Sequence, residues 1–152
     1  MATGDTMHVE VVTAERELYS GEANAVNAPG SEGRLGILPR HAALLAFLKA
    51  GELRIELQGA EDTLFVSGGF LEVYENTVTI LADAAEHTDE IDRTRAEEAR
   101  HRAEERLAQV ESDQERAQLQ GALERAVVRL RLVEIASRRN RRRIETSRPR
   151  DE

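Results

Sequence analysis

The stretch LFVSGGFLEVYENTVTILA, residues 64–82, decides the fold, together with IDRTRA at residues 91–96. Leu64-Phe65-Val66 runs into Ser67-Gly68-Gly69, which reads as a bend between strands. Residues 70–74, a turn at Glu75-Asn76 and residues 77–82 predict a β-hairpin. Beyond it the pattern changes. No Gly or Pro occurs from Asp92 to Gln120, and apolar residues recur every three or four positions, the period of a helix.

Toward the N-terminus the period stays at two. Leu53, Ile55 and Leu57 alternate with Arg54, Glu56 and Gln58, and Met7, Val9 and Val11 alternate with His8 and Glu10. Residues 23–28 predict a further short strand, stopped by Pro29-Gly30. Glu15-Arg16-Glu17 and Ser20-Gly21-Glu22 have the composition of turns. Residues 31–39 read as a Gly-rich loop with a brief apolar insert, Leu35-Gly36-Ile37-Leu38. The longest apolar run, residues 42–48, is expected as a buried element and is far shorter than the ~18 residues of a membrane span. Closely spaced strands with turns between them imply an antiparallel sandwich or barrel.

In the second half, Thr88 is the expected N-cap, with Asp89 and Glu90 in the first turn where acids suit the helix dipole. Ala96, Ala99, Ala103, Leu107 and Val110 form a narrow stripe of mostly small residues. Ser112 and Glu115 make a capping box that opens a second helix, with stripes Leu119, Leu123, Ala126, Leu130, Val133 and Val128, Leu132, Ile135. The expected domains are an all-β antiparallel sandwich over residues 1–86, an α-helical hairpin over 87–140, and a basic, disordered tail over 141–152.

Composition narrows the function classes. There is no cysteine, hence no disulfide, thiol nucleophile or Cys-ligated metal. His8, His41, His87 and His101 are too scattered for a zinc site, and no nucleophile–base pair suggests an enzyme. The net charge is −9 over residues 1–87, −3 over 88–137 and +4 over 138–152, an acidic body that argues against nucleic acid. The N-terminus shows no basic-then-apolar signal pattern. Arg138-Arg139-Asn140-Arg141-Arg142-Arg143 admits two readings: contact with RNA or anionic lipid, or a solvated helix end.

Arg95 and Arg102 share one face of the first helix, and Arg125 and Arg129 share one face of the second. Counting outward from a hairpin centre near residue 113 puts Arg102 level with residue 124 and Arg95 level with residue 131. The four guanidiniums then converge if both faces turn the same way, and planar guanidiniums suit phosphate. Glu86 and Asp92 stand at the junction, where carboxylates accept from an amino group or a ribose hydroxyl. The competing reading is a solvated surface of i,i+4 ion pairs with Glu97, Glu98, Glu104, Glu105 and Glu124. No Walker-type loop is present.

Taken together, Pro29-Gly30-Ser31-Glu32-Gly33, LGILPRHAALL at 35–45, VSGGFLEV at 66–73 and VTILAD at 78–83 resemble the epsilon subunit family of rotary F-type ATP synthases, across residues 7–137. The resemblance implies a β-sandwich followed by two helices, with no catalysis of its own and no required cofactor. It implies a place on the central stalk beside the gamma subunit and the membrane c-ring. The helices of that family either fold as a hairpin or extend along gamma toward the catalytic alpha and beta subunits, where they block ATP hydrolysis. Arg34, Pro39 and His41 are then expected to face the ring or gamma, and Val128, Leu132 and Ile135 to serve a switching helix. Some members bind ATP as a regulatory ligand through Ile/Leu-Asp-x-x-Arg-Ala, matched here by Ile91-Asp92-Arg93-Thr94-Arg95-Ala96, with further ligands matching Glu86, Arg102, Arg125 and Arg129. The motif leaves Mg²⁺ open. The implied location is the cytoplasmic side of a bacterial membrane, held there through the complex. Two alternatives stand beside it: the same subunit inhibiting mechanically without nucleotide, and a stand-alone adaptor with a nucleic-acid-binding tail.

Overall fold

Buried and half-exposed residues alternate along ten strands in the computed structural model, which describes residues 5–146. They are β1 (Met7–Val12), β2 (Glu17–Ala23), β3 (Ala25–Gly30), β4 (Gly33–Ile37), β5 (Leu44–Leu48), β6 (Gly51–Leu57), β7 (Ala60–Val66), β8 (Gly69–Tyr74), β9 (Thr77–Ala82) and β10 (Ala85–His87). Hydrogen bonding orders them β10-β7-β6-β3-β5-β8-β9-β1-β2, with β4 paired to β3. Every pairing is antiparallel except β1 with β9. A 3-10 turn (Thr88–Glu90) and two helices follow, α1 (Arg93–Leu107) and α2 (Asp113–Thr146). The chain divides into two compact units, Met1–His87 and Thr88–Glu152, which are a β-sandwich and a helix hairpin.

The inward phase of each strand supplies the core: Val9 and Val11, Leu53 and Ile55, Leu71 and Val73, Val78 and Ile80 are all buried. At the end of β7 the alternation stops, because Leu64, Phe65 and Val66 are buried together and the strand is covered on both faces. The Glu75-Asn76 hairpin forms as expected. Both residues take positive φ (45° and 60°), the geometry of a type I′ turn. Asn76 also locks the turn to its surroundings: its Oδ1 accepts from the Arg40 amide at 2.8 Å and its Nδ2 donates to the Thr6 carbonyl at 3.0 Å.

Several expectations are corrected. Ser20-Gly21-Glu22 is no turn; it lies inside β2, opposite Glu10, Val9 and His8 of β1, because ladder pairing outweighs local composition. Residues 31–39 are not all loop: 33–37 form β4, a hairpin arm paired along β3. The apolar run at 42–48 is not a buried element: β5 turns Leu45 and Phe47 outward, 67% and 62% exposed. Thr88 opens a 3-10 turn, and the N-cap of α1 is Asp92. The helical part does not end at residue 140, since α2 carries on to Thr146; residues 147–152 of the expected tail lie outside the described residues.

Gly69 starts β8 at φ +130°, and a Cβ there would stand 2.0 Å from the Leu81 carbonyl oxygen. Gly36 has an open position, with nothing within 4 Å of its Cβ site. Gly69→Ala should therefore lower unfolding stability by about 2–4 kcal/mol in urea titration, and Gly36→Ala by less than about 1 kcal/mol.

Candidate functional site

Three alanines define the line along which α1 and α2 pack: Ala96 and Ala103 of α1 and Ala126 of α2, each no more than 4% exposed. Such small side chains let two helices approach closely. A helix turns about 100° per residue. The residue preceding a seam alanine therefore lies on one flank and the residue following it on the other. In an antiparallel pair these rotations have opposite sense as seen along one axis, so preceding residues of both helices share a flank. Those residues are Arg95, Arg102 and Arg125. Arg129, one turn beyond Arg125, falls on the same side.

The following residues, Glu97 and Glu104, lie on the opposite flank, where they meet arginines four positions earlier. Arg93 Nε is 3.2 Å from Glu97 Oε1, and Arg100 Nε is 3.6 Å from Glu104 Oε1. The ion-pair reading thus holds for Arg93, Arg100 and, with Glu134, Arg138. It does not hold for Arg95, Arg102 or Arg125. Among the described residues their guanidiniums have no hydrogen bond and no ion pair. Arg106 is equally unpaired, nearer the hairpin tip on the same flank, and Arg131 is unpaired on the other.

The helix bounds move the expected levels. With α1 ending at Leu107 and α2 beginning at Asp113, the hairpin centres on residue 110, not 113. Arg95 is then level with Arg125, and Arg102 lies about 10 Å along the axis toward the tip. Helical side chains lean toward their own N-terminus. Accordingly Arg125 folds back over Gly121, its Nη1 3.3 Å from the site a Cβ would occupy there. The rest of the motif is structural in character. Ile91 and Ala96 are buried, and an Asp92 carboxylate oxygen accepts from the Arg95 amide at 3.1 Å. Glu86 is half-buried in β10, paired in register with Phe65, and belongs to the β unit. Of the second apolar stripe, Leu132 is buried, and Val128 and Ile135 are half-buried.

Comparison with known proteins agrees with both units. Residues 6–88 match the ATP synthase delta/epsilon chain beta-sandwich domain, and residues 89–134 match the long alpha-helix domain of the same chain. The chain belongs to the ATP synthase delta/epsilon family. The ATP synthase epsilon chain of Herpetosiphon aurantiacus is 50% identical over 135 residues, 89% of this chain and 98% of that one. That of Thioalkalivibrio sulfidiphilus is 44% identical over 138 residues, 90% and 98% of the two chains. Among solved structures, a chain of the Euglena gracilis mitochondrial ATP synthase OSCP/F1/c-ring assembly superposes with a TM-score of 0.72 at 25% identity, covering 86% of this chain and 81% of that one. A chain of the Tetrahymena thermophila central stalk/c-ring structure shares the fold, with a TM-score of 0.59 at 17% identity, over 87% and 99% of the two chains. As an epsilon-type member, this protein is a non-catalytic stalk subunit of the ATP synthase complex. No helix among the described residues is long and apolar enough to cross a membrane.

In the β unit of this family member, the residues expected to meet partners divide into two kinds. His41 is exposed and Pro39 half-exposed in the connection from β4 to β5. Arg34 is pinned: it donates to Asn27 Oδ1 through Nε and to the Glu52 carbonyl through Nη2 at 2.8 Å, tying β4 to β3 and β6. Burial pulls its guanidinium below the usual arginine value, with nearby Arg54 acting the same way and Glu52 opposing. Arg34 also lines a cleft of about 360 Å³ with Leu45 and Phe47. Those two residues belong to an apolar face that sequence reasoning missed. Phe47 pairs with Phe70, and Phe70 pairs with Leu81, making a row across three strands with the two rings 4.9 Å apart. The signal was one of phase: Phe70 and Tyr74 share the outward phase of β8 with Glu72.

A lysine cannot reproduce the fork of Arg34. Arg34→Lys should cost about 0.5–1.5 kcal/mol in thermal or urea unfolding, the net size of a lost hydrogen bond at an exposed site.

Proposed function

We propose that this subunit couples rotation to ATP synthesis and restrains ATP hydrolysis through its helices, and that ATP, bound along the basic flank of the hairpin, favours the compact state. The observation supporting the nucleotide site is the contrast between the flanks: Arg95, Arg102 and Arg125 stand unpaired on one, while Glu97 and Glu104 are paired with Arg93 and Arg100 on the other. Guanidiniums left without carboxylates in a helix surface rich in acids fit a polyphosphate ligand. Arg129 is the fourth candidate. A ligand that binds only the compact hairpin stabilises it by mass action, and a fall in ATP then frees the helices to extend.

The β unit is the docking part in this proposal. The row Phe47, Phe70 and Leu81, with Leu45, suits an apolar surface of the gamma subunit, and the exposed His41 connection suits the ring or gamma. The complex would then hold the subunit at the cytoplasmic face of a bacterial membrane. Mechanical inhibition without nucleotide is a second reading, favoured by the length of α2. At 34 residues it spans about 50 Å and extends well past the 15 residues of α1.

Calorimetric titration with millimolar ATP tests the site. Arg125→Ala and Arg102→Ala should each weaken binding by about 1.5–3 kcal/mol, and Arg93→Ala, on the other flank, should change it by less than about 0.5 kcal/mol. Equal affinity for wild type and Arg125→Ala would remove the site, and absence of any heat would favour the mechanical reading. For docking, Phe47→Ser with Phe70→Ser should leave the isolated chain folded, because both rings are solvent-exposed. Its affinity for gamma in a pull-down titration should fall tenfold or more, as for interface anchors. An unchanged affinity would move the interface elsewhere.

A further inference from the structure

Glu72 and Tyr74 continue the outward phase of β8 beyond Phe70 and border a second cleft of the β unit. It has a volume of about 320 Å³ and is lined by Ala43, Leu45, Glu72 and Tyr74. In register Glu72 stands opposite Leu45 of β5 on one side and Thr79 of β9 on the other. Phe70 and Tyr74 precede and follow it on the same face, each about 7 Å along the strand. Glu72 is exposed, and among the described residues its carboxylate has no hydrogen bond and no ion pair. Its own face supplies no counter-charge. The outward positions along β5, β8, β9 and β1 hold no lysine or arginine, and His8 lies between Glu10 and Glu22, at 3.2 and 3.5 Å.

We propose that this cleft receives an arginine side chain of the protein that docks on the Phe47, Phe70 and Leu81 row, with its guanidinium on the Glu72 carboxylate and its flat face against Tyr74. The inference rests on the docking reading above and adds to it the charge that the partner must carry. A surface that covers both Phe70 and Tyr74 also covers Glu72 between them. A carboxylate taken out of water without a cation is strongly disfavoured, so a neutral or acidic partner surface is rejected at this point. Lysine would match the charge. Arginine also stacks its planar guanidinium on an aromatic ring and donates two hydrogen bonds to one carboxylate, while its methylene stem rests on Leu45. The apolar row thus supplies contact area, and Glu72 decides which surface fits it. A Glu72 left on a wet rim would instead affect mainly the salt-sensitive rate of encounter.

The test titrates the full chain with purified gamma subunit as the probe. Glu72→Gln should weaken binding about 10- to 150-fold, the loss of a charge-assisted bond, and Glu72→Lys at least as much. Tyr74→Leu, which keeps the apolar wall but removes the ring, should weaken it about 2- to 30-fold. Glu56→Gln makes the same charge change on β6, away from this face, and should stay within about twofold, which separates a local contact from net-charge steering. All three positions are exposed, so the variants should unfold at the wild-type midpoint. The ratio of wild type to Glu72→Gln should persist in about 0.5 M salt, because a covered pair is screened weakly. A ratio that collapses to within about twofold there puts Glu72 on the rim and overturns the proposal, as does a loss in Glu56→Gln equal to that in Glu72→Gln. Phe47→Ser with Phe70→Ser separates this inference from the reading beneath it. If that pair weakens binding and Glu72→Gln does not, the docking face stands and the arginine cleft falls; if the pair leaves affinity unchanged, both fall.

Discussion

The helical unit depends on one packing constraint, the run of small side chains where α1 meets α2. Ala96, Ala103 and Ala126 bury almost no volume, so the seam contributes little hydrophobic stabilisation of its own. What it fixes is orientation. Once those alanines face inward, the 100° step of the helix assigns every neighbour to a flank. Arginine precedes each seam alanine and, on α1, glutamate follows it. The flank of unpaired arginines and the ion-paired flank therefore follow from sequence order and need no long-range instruction. A larger residue at a seam position would do more than open a gap: it would rotate or separate the helices and blur the flank on which the arginines stand.

The β unit answers a different constraint. Strand phase assigns each side chain to the core or to the outside, and it does so for apolar residues as strictly as for charged ones. Leu71 and Val73 occupy the inward phase of β8, which obliges Phe70 and Tyr74 to face out. Phe47 comes to lie beside Phe70 only through the pairing of β5 with β8. Three exposed apolar residues in register across three strands cost solubility unless covered, and this coincides with a family whose members are named as parts of an assembly.

Much of this was legible in the residues. The period-two and period-3.6 segments separated the sandwich from the hairpin, and the Glu75-Asn76 turn was placed by local chemistry alone. Ser20-Gly21-Glu22 misled because small polar residues also suit a strand already held on its neighbour. Residues 42–48 misled because a continuous apolar run conceals its phase, which only the partner strands reveal. Thr88 and Asp92 are both acceptable caps by composition. The structure uses Asp92, whose backbone is extended and whose carboxylate accepts from the Arg95 amide, while Thr88 opens the 3-10 turn. The four arginines were visible as a set, but whether they faced one another depended on the direction of the seam.

That direction also bears on how a compact hairpin can be sensitive to a ligand. Arg95 and Arg102 lie about 10 Å apart along α1, a distance at which two exposed like charges repel by about 0.4 kcal/mol in water before salt reduces it further. Several such terms on one flank remain small beside the burial of the larger side chains Ile91 and Leu132. They are nevertheless of one sign and lie on one side. In the proposed function, an anion that spans them would remove the repulsion and add charge-assisted hydrogen bonds together, whereas extended helices would forfeit both. In that proposal the compact state would be favoured by a modest packing energy and sharpened by an electrostatic one, the balance required if a change in ligand concentration is to move the helices.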